Sequence, residues 1–324
     1  ARAQALWAPG GSPVREGPED LYGPWAASDG QGGTVITWED YRALNLDIYA
    51  QRVNSLGEIQ WDPAGVPICV DGAEQRFTWH VVRAITSDQE GAIMVWADWR
   101  NEALFGIDLY AQKVDWEGNT LWRIDGMPAC STEGDQTCAV LTTDMMGGAI
   151  VTWEDYRGGD ADIYAQKITA GATMWPPNSV PISATTADQI FPKIVSDEAG
   201  GAIITWLDNR SGDYHVYAQR VDPDGNRLWE YPPGQYEGVP MCTEPCPRQA
   251  PDIVSDGMGG AIIAWIDYRD PTKMHVYALR IDASGERVAG WPENGVRVSR
   301  DRVRGDICWT PWVATYLANG AIVG

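Results

Sequence analysis

Five times the chain places a tryptophan, an aspartate and an arginine at alternate positions: GGTVITWEDYR (Gly32–Arg42), EGAIMVWADWR (Glu90–Arg100), GGAIVTWEDYR (Gly147–Arg157), GGAIITWLDNR (Gly200–Arg210) and GGAIIAWIDYR (Gly259–Arg269). The pairs are Asp40 with Arg42, Asp98 with Arg100, Asp155 with Arg157, Asp208 with Arg210 and Asp267 with Arg269. Between the two charges sit Tyr41, Trp99, Tyr156, Asn209 and Tyr268. Carboxylates, guanidinium forks and aromatic faces are the groups that recognise sugars, which offer hydroxyl networks and apolar CH faces. A residue present in every repeat more often holds each repeat together. The Asp and Arg are therefore expected to be structural, with Asp accepting turn N–H groups and pairing with the Arg. The variable slot between them is the candidate for ligand binding.

Other reactive residue types are sparse. His215 and His275 replace the aspartate that opens a second repeated phrase, and His80 stands in an insertion, RFTWHVV. No G-x-S-x-G, H-E-x-x-H or phosphate loop occurs. The acidic loops GGDAD (Gly158–Asp162) and RALNLD (Arg42–Asp47) offer oxygen ligands for Ca²⁺, but without the ordered spacing of a calcium loop. They are expected to be solvated turns, and no metal or cofactor is expected. A catalytic site should break the repeat, and no break provides an acid/base pair, so no catalytic residue is assigned. The expectation is a non-catalytic, extracytoplasmic binding or structural module with a glycan or protein partner. The alternative is a polysaccharide-active glycoside hydrolase or lyase that uses two acidic residues.

The elements that position these groups follow from the period. The phrase tryptophans stand at 38, 96, 153, 206 and 265, so they are 58, 57, 53 and 59 residues apart. Each phrase is followed by DIYAQRV, DLYAQKV, DIYAQKI, HVYAQRV or HVYALRI. Runs rich in Ile, Val, Tyr, Trp and Thr, bounded by Gly, Asp, Asn and Pro, read as strands. Turns such as SDGMGG and VDPDGN supply the residues that tight hairpins need. Four such strands per repeat of this length predict an all-β chain folded as a β-propeller of four-stranded antiparallel blades. The second strand is apolar at successive positions (Ala202, Ile203, Ile204), which calls for burial on both faces. The expected units are 15–70, 71–131, 132–183, 184–243 and 244–299. Residues 1–14 and 300–324 are expected to share a sixth, closing blade.

With 324 residues, 44% of them hydrophobic, one repeat domain can cover its core. The net charge of −21 disfavours nucleic acid and anionic membrane as partners. No apolar run reaches the roughly 18 residues of a membrane-spanning helix. The chain does not begin with Met and shows no signal peptide, as in a processed or partial product. Lysine is confined to Lys113, Lys167, Lys193 and Lys273, so arginine carries the positive charge. Cysteines at 69, 130, 138, 242, 246 and 308 lie in or beside the connectors between repeats. Cys130 with Cys138 and Cys242 with Cys246 are expected to form local disulfides, which implies an oxidising compartment. Cys69 and Cys308 have no evident partner, and the spacings do not fit zinc or covalent haem.

The phrases WEDYR and DIYAQRV with a following G-x-x-L-W resemble repeats of secreted bacterial β-propeller proteins. That resemblance spans nearly the whole chain and implies the fold, with no activity attached. The segment from Ser28 to Trp38 is also loosely similar to the Asp-box of sialidase-like propellers, with different spacing and no arginine triad that carries over.

Overall fold

The computed structural model describes residues 11, 13–15, 17–77, 84–244, 248–270, 272–299, 302–303, 313–316 and 320–323. They are almost wholly β. The first sheet is antiparallel, in the order β1 (Leu21–Ser28), β2 (Thr34–Asp40), β3 (Asp47–Val53) and β4 (Val66–Cys69). The same up-and-down order recurs four times. The main hairpin strands are Gly91–Asp98 with Asp108–Asp115, Ala149–Asp155 with Asp162–Thr169, Ala202–Asp208 with His215–Val221, and Ala261–Asp267 with Lys273–Ile281. A further hairpin pairs Val313–Tyr316 with Gly320–Val323. The only helix among the described residues is the single turn Glu102–Phe105. The Ala3–Trp7 segment expected in a closing blade lies outside the described residues.

Backbone contacts divide the chain into two compact units. One is Ala1–Val151 with Ile168–Met174, and the other is Thr152–Lys167 with Trp175–Gly324. Within each unit, successive sheets are tied by the same device. In the first, the Trp61 indole N–H donates to the Trp116 carbonyl at 3.0 Å. In the second, Trp175 donates to Pro223 and Trp229 to Ala283, at 3.0 and 3.1 Å.

The sequence makes each sheet for local reasons. Asp29 Oδ1 accepts the amides of Gln31 and Gly33 and closes the β1–β2 turn, while Arg52 from β3 binds its other oxygen. Asp197 and Arg220 repeat this pairing. Gln51 clamps the outer edge by donating to the Asp62 carbonyl and accepting the Trp61 amide; Gln112, Gln166 and Gln219 do the same in their sheets. Leu279 holds that position in the fifth sheet. The second strands are buried at every position from Ala202 to Asp208 and from Ala261 to Asp267, as the unbroken apolar run predicts. Each phrase tryptophan is buried, and burying a ring of this size removes roughly 200 Å² from water, on the order of 5 kcal/mol of gross apolar gain. Glycine is required where the connector crosses that ring. Gly126 has φ +83°, and a Cβ there would stand 2.6 Å from Trp96 Cη2.

The disulfide expectation is corrected. No disulfide occurs among the described residues, and Cys69, Cys130, Cys138 and Cys242 are buried thiols. Cys130 ends the outermost strand of the second sheet, whereas Cys138 lies in the first strand of the third, so their shared connector leads them to different sheets. Cys242 Sγ instead accepts from Arg248 at 2.6 Å and donates to Asn294 Oδ1 at 3.3 Å. Cys246 lies outside the described residues. Burial pushes the Cys69 thiol up to about 12, which removes the thiolate needed for exchange.

Candidate functional site

The Trp-x-Asp-x-Arg phrase forms the same constellation five times. Asp40 is fully buried; its Oδ2 accepts the Trp38 indole N–H at 3.0 Å, and its Oδ1 accepts the Arg42 amide and Nε at 3.1 and 2.9 Å. Arg42 also donates to the Ala64 carbonyl in the connector at 2.8 Å. The Arg Nε to Asp distance is 2.8 Å at Arg100, 2.7 Å at Arg157, and 2.8 Å at both Arg210 and Arg269. Burial works to raise the Asp267 carboxyl, but the hydrogen bonds from Arg269 and Trp265 outweigh it and hold the group at about 2.

The slot residues meet different surroundings. Tyr41 and Tyr156 are exposed, at 42% and 37%. Tyr156 donates to Glu154 at 3.1 Å and Tyr268 to Gln249 at 2.9 Å. The Trp99 ring lies 5.9 Å from the Arg76 guanidinium, and Asn209 Oδ1 is covered without a hydrogen-bond partner.

Only Tyr41 of these five borders the cavity of about 540 Å³ in the first unit, which Asp20, Tyr22, Gly23, Trp25, Glu39, Leu46, Arg76 and Phe77 also line. β1 slips register between Tyr22 and Trp25 beside it, where Gly23 takes φ +51°, a slip that recurs at Ile190/Lys193 and Gln249/Asp252. Glu39 is the cross-strand partner of Tyr22, and its Oε1 accepts the Phe77 amide at 2.5 Å. Burial raises the Glu39 carboxyl above the usual range, against the pull of that amide and of Arg76. Tyr22 donates to Asp20 at 3.3 Å. The Trp25 indole N–H is buried without a hydrogen-bond partner. Arg76 is paired with Glu74. The cavity thus joins two carboxyl groups, that of Glu39 raised by burial, with aromatic faces and one cation.

Glu39 escapes a reading centred on the repeated residues, yet it leaves a signal. The position between Trp and Asp is Glu39, Ala97, Glu154, Leu207 and Ile266 in turn. The position varies, with a carboxylate in the first and third repeats and an apolar side chain in the others. Glu154 Oε1 likewise accepts an amide of the next sheet, that of Phe191 at 2.7 Å.

A second set of buried or half-buried groups lies at or near the start of the third strands. Asp47, Asp108, His215 and His275 lie opposite the phrase aspartates Asp40, Asp98, Asp208 and Asp267. Burial raises Asp47 to about 6 and, with the charge of Asp160, Asp162 to about 7. His215 is pushed below its ordinary value by burial and by Arg248, whose Nη1 is 3.1 Å from its Nδ1. His80 lies outside the described residues. Among the described residues, no group of three or more His, Cys, Asp or Glu side chains is arranged to hold a metal ion. No helix among them is long and apolar enough to cross a membrane.

No protein-family model matches the chain, and no curated protein matches it. Among solved structures it is similar to the polysaccharide lyase Uly1, with TM-score 0.49 and 11% identity over 98% of this chain and 88% of that one. It is also similar to the Hadza microbial sialidase Hz136, with TM-score 0.45 and 12% identity over 80% of this chain. The match spans only 56% of the sialidase's length. A third is the GH93 α-L-arabinofuranosidase of Fusarium graminearum in complex with arabinobiose, with TM-score 0.44 and 12% identity over 91% and 83% of the two chains. The expectation of a non-catalytic module is corrected: the similar structures are by name a polysaccharide lyase, a sialidase and an arabinofuranosidase. At such identities the likeness concerns the fold, and activity rests on this chain's own residues.

Proposed function

We propose that the chain is a polysaccharide-active enzyme, a glycoside hydrolase or lyase working outside the cytoplasm, with its site in the cavity on the first sheet. One observation carries this reading: a single cavity joins Glu39, whose carboxyl burial raises, to the second carboxyl of Asp20 and the rings of Tyr22, Trp25, Tyr41 and Phe77. Its volume falls in the range of small-molecule sites. Glycoside hydrolysis uses two carboxyl groups kept in unlike environments, one to donate a proton to the leaving oxygen and one to act as a carboxylate. Glu39 takes the acid role and Asp20 the carboxylate role, while Tyr41 and Tyr22 offer faces to the sugar ring. Arg76 at the same cavity favours elimination on an acidic sugar as the second reading, because a guanidinium can neutralise a uronate carboxylate. The Asp and Arg of the repeated phrases serve the scaffold, proposed as a six-bladed propeller closed by residues 1–14 and 300–324.

The test is incubation of the purified chain with neutral and uronate-containing polysaccharides, following new reducing ends and the ultraviolet absorbance of unsaturated uronates. Reducing ends without that absorbance identify a hydrolase, and both together identify a lyase. Glu39→Gln should lower the rate at least ~100-fold, the usual worth of a general acid. Neither product from any substrate, or a Glu39→Gln rate equal to that of the unmodified chain, would remove the proposal.

A further inference from the structure

Three sheets open their third strand with an aspartate, and the way each is neutralised differs. In the first sheet Asn45, two residues earlier, donates its amide to Asp47 Oδ1 at 2.9 Å. In the second sheet Asn101 and Ser131 donate to Asp108 Oδ2 at 2.8 and 2.9 Å. In the third sheet the residue two before Asp162 is Asp160, whose side chain has no N–H to give. Asp162 is only 6% exposed, and its Oδ1 has no hydrogen-bond partner. A Cβ on Gly158 would stand 3.4 Å from Asp162 Oδ2 and 3.6 Å from Asp160 Oδ1, so the two carboxylates border one space that glycine leaves open. The other charges acting on Asp162 are Asp155 and Glu237, negative, and Arg157, positive. Arg157 is itself committed to Asp155 and to the Asn178 carbonyl.

A buried carboxylate oxygen without a donor is costly unless something positive meets it. We propose that Asp160 and Asp162 bind a divalent cation, Ca²⁺ by its chemistry, in the Gly158–Asp162 loop. Both ligands are hard oxygens, and an irregular glycine-containing loop suits the flexible six-to-eight-oxygen shell of Ca²⁺ better than the strict octahedron of Mg²⁺. Two carboxylates balance its charge, and carbonyl oxygens and water complete the shell. With no third acidic side chain converging there among the described residues, the site belongs to the weak class, with dissociation constants of roughly 10⁻⁴–10⁻³ M. The site is independent of the sugar cavity.

The experiment is thermal unfolding of the whole chain in excess CaCl₂, in MgCl₂ at the same concentration, and in EGTA, with calorimetric titration of CaCl₂ alone. Ca²⁺ at about ten times the dissociation constant should raise the midpoint by roughly 2–4 °C over EGTA. Asp160→Asn restores the donor that Asn45 supplies in the first sheet, so it should match or exceed the unmodified midpoint in EGTA and lose the Ca²⁺ response. Asp162→Asn should also lose the response. No shift with Ca²⁺ in the unmodified chain overturns the proposal. So does an equal shift in both variants, or an equal shift with Mg²⁺, because either marks screening of the net charge of −21.

Discussion

The Arg42 guanidinium lies 3.7 Å from the centre of the Tyr49 ring while its Nε and amide both bind Asp40. Each arginine of the phrase repeats this, with ring distances of 3.9 Å at Tyr110, 4.1 Å at Tyr164, 4.4 Å at Tyr217 and 3.8 Å at Tyr277. A planar fork can grip a carboxylate and lie flat on an aromatic face at the same time, which an ammonium cannot. This accounts for arginine at all five positions.

Replacing one such arginine should therefore hurt even when its charge is kept. Arg157→Lys is expected to cost about 1–2 kcal/mol and Asp155→Ala about 3–5 kcal/mol, because the second leaves a partly buried guanidinium and the Trp153 N–H without their acceptor. Urea unfolding midpoints check this. Losses below about 0.5 kcal/mol for both would show that the constellation does not hold the sheet.

The glutamine clamp gives a second stability prediction. Gln219 Nε2 serves the carbonyls of Trp229 and Tyr236, and its Oε1 serves the Trp229 amide. Gln219→Leu copies the fifth sheet but strands these groups, at an expected cost of about 2–4 kcal/mol. A variant as stable as the original in the same urea titration would mean that the fifth sheet's solution transfers freely.

Asp47 sets a pH dependence. Its folded value of about 6 lies above the ordinary aspartate value of about 3.9. The folded state thus holds the proton longer than the unfolded state. The resulting contribution is complete below about pH 3.9 and is lost as pH rises to about 6. Asp47→Asn should then be more stable than the unmodified chain at pH 8, by on the order of 1–3 kcal/mol, with a smaller gain at pH 5. Melting curves at the two pH values decide it, and an equal difference at both would refute the shift.

Trp25 separates binding from folding. Its indole N–H has no acceptor among the described residues, so Trp25→Phe should leave the melting temperature within about 1–2 °C. If a sugar hydroxyl is the missing acceptor, KM on the substrate found above should rise about 3–10-fold, the worth of one hydrogen bond. An unchanged KM would place the sugar elsewhere in the cavity.

The repeated tryptophans, the strands, the turns of SDGMGG type and the spacing of Asp before Arg were legible in the chain because each depends on residues near one another in sequence. Asp40 and Arg42 meet across two positions, and Asp29 and Gly33 across four. Interactions so short are written into the order of residue types. The Glu39–Phe77 contact spans 38 residues and two sheets. Neither residue stands out in sequence, because Glu154 and Phe191 recur at the same positions and the other repeats carry neither. The same limit misled the cysteine pairing, since the seven residues between Cys130 and Cys138 say nothing about a connector that carries them into different sheets. Sequence by itself determined an all-β chain of four-stranded antiparallel sheets, through local turn chemistry and apolar runs. Only tertiary structure decided which side chains meet at the cavity beside β1, and which buried carboxylate lacks a donor, because both depend on what a neighbouring strand or sheet brings to the same point in space.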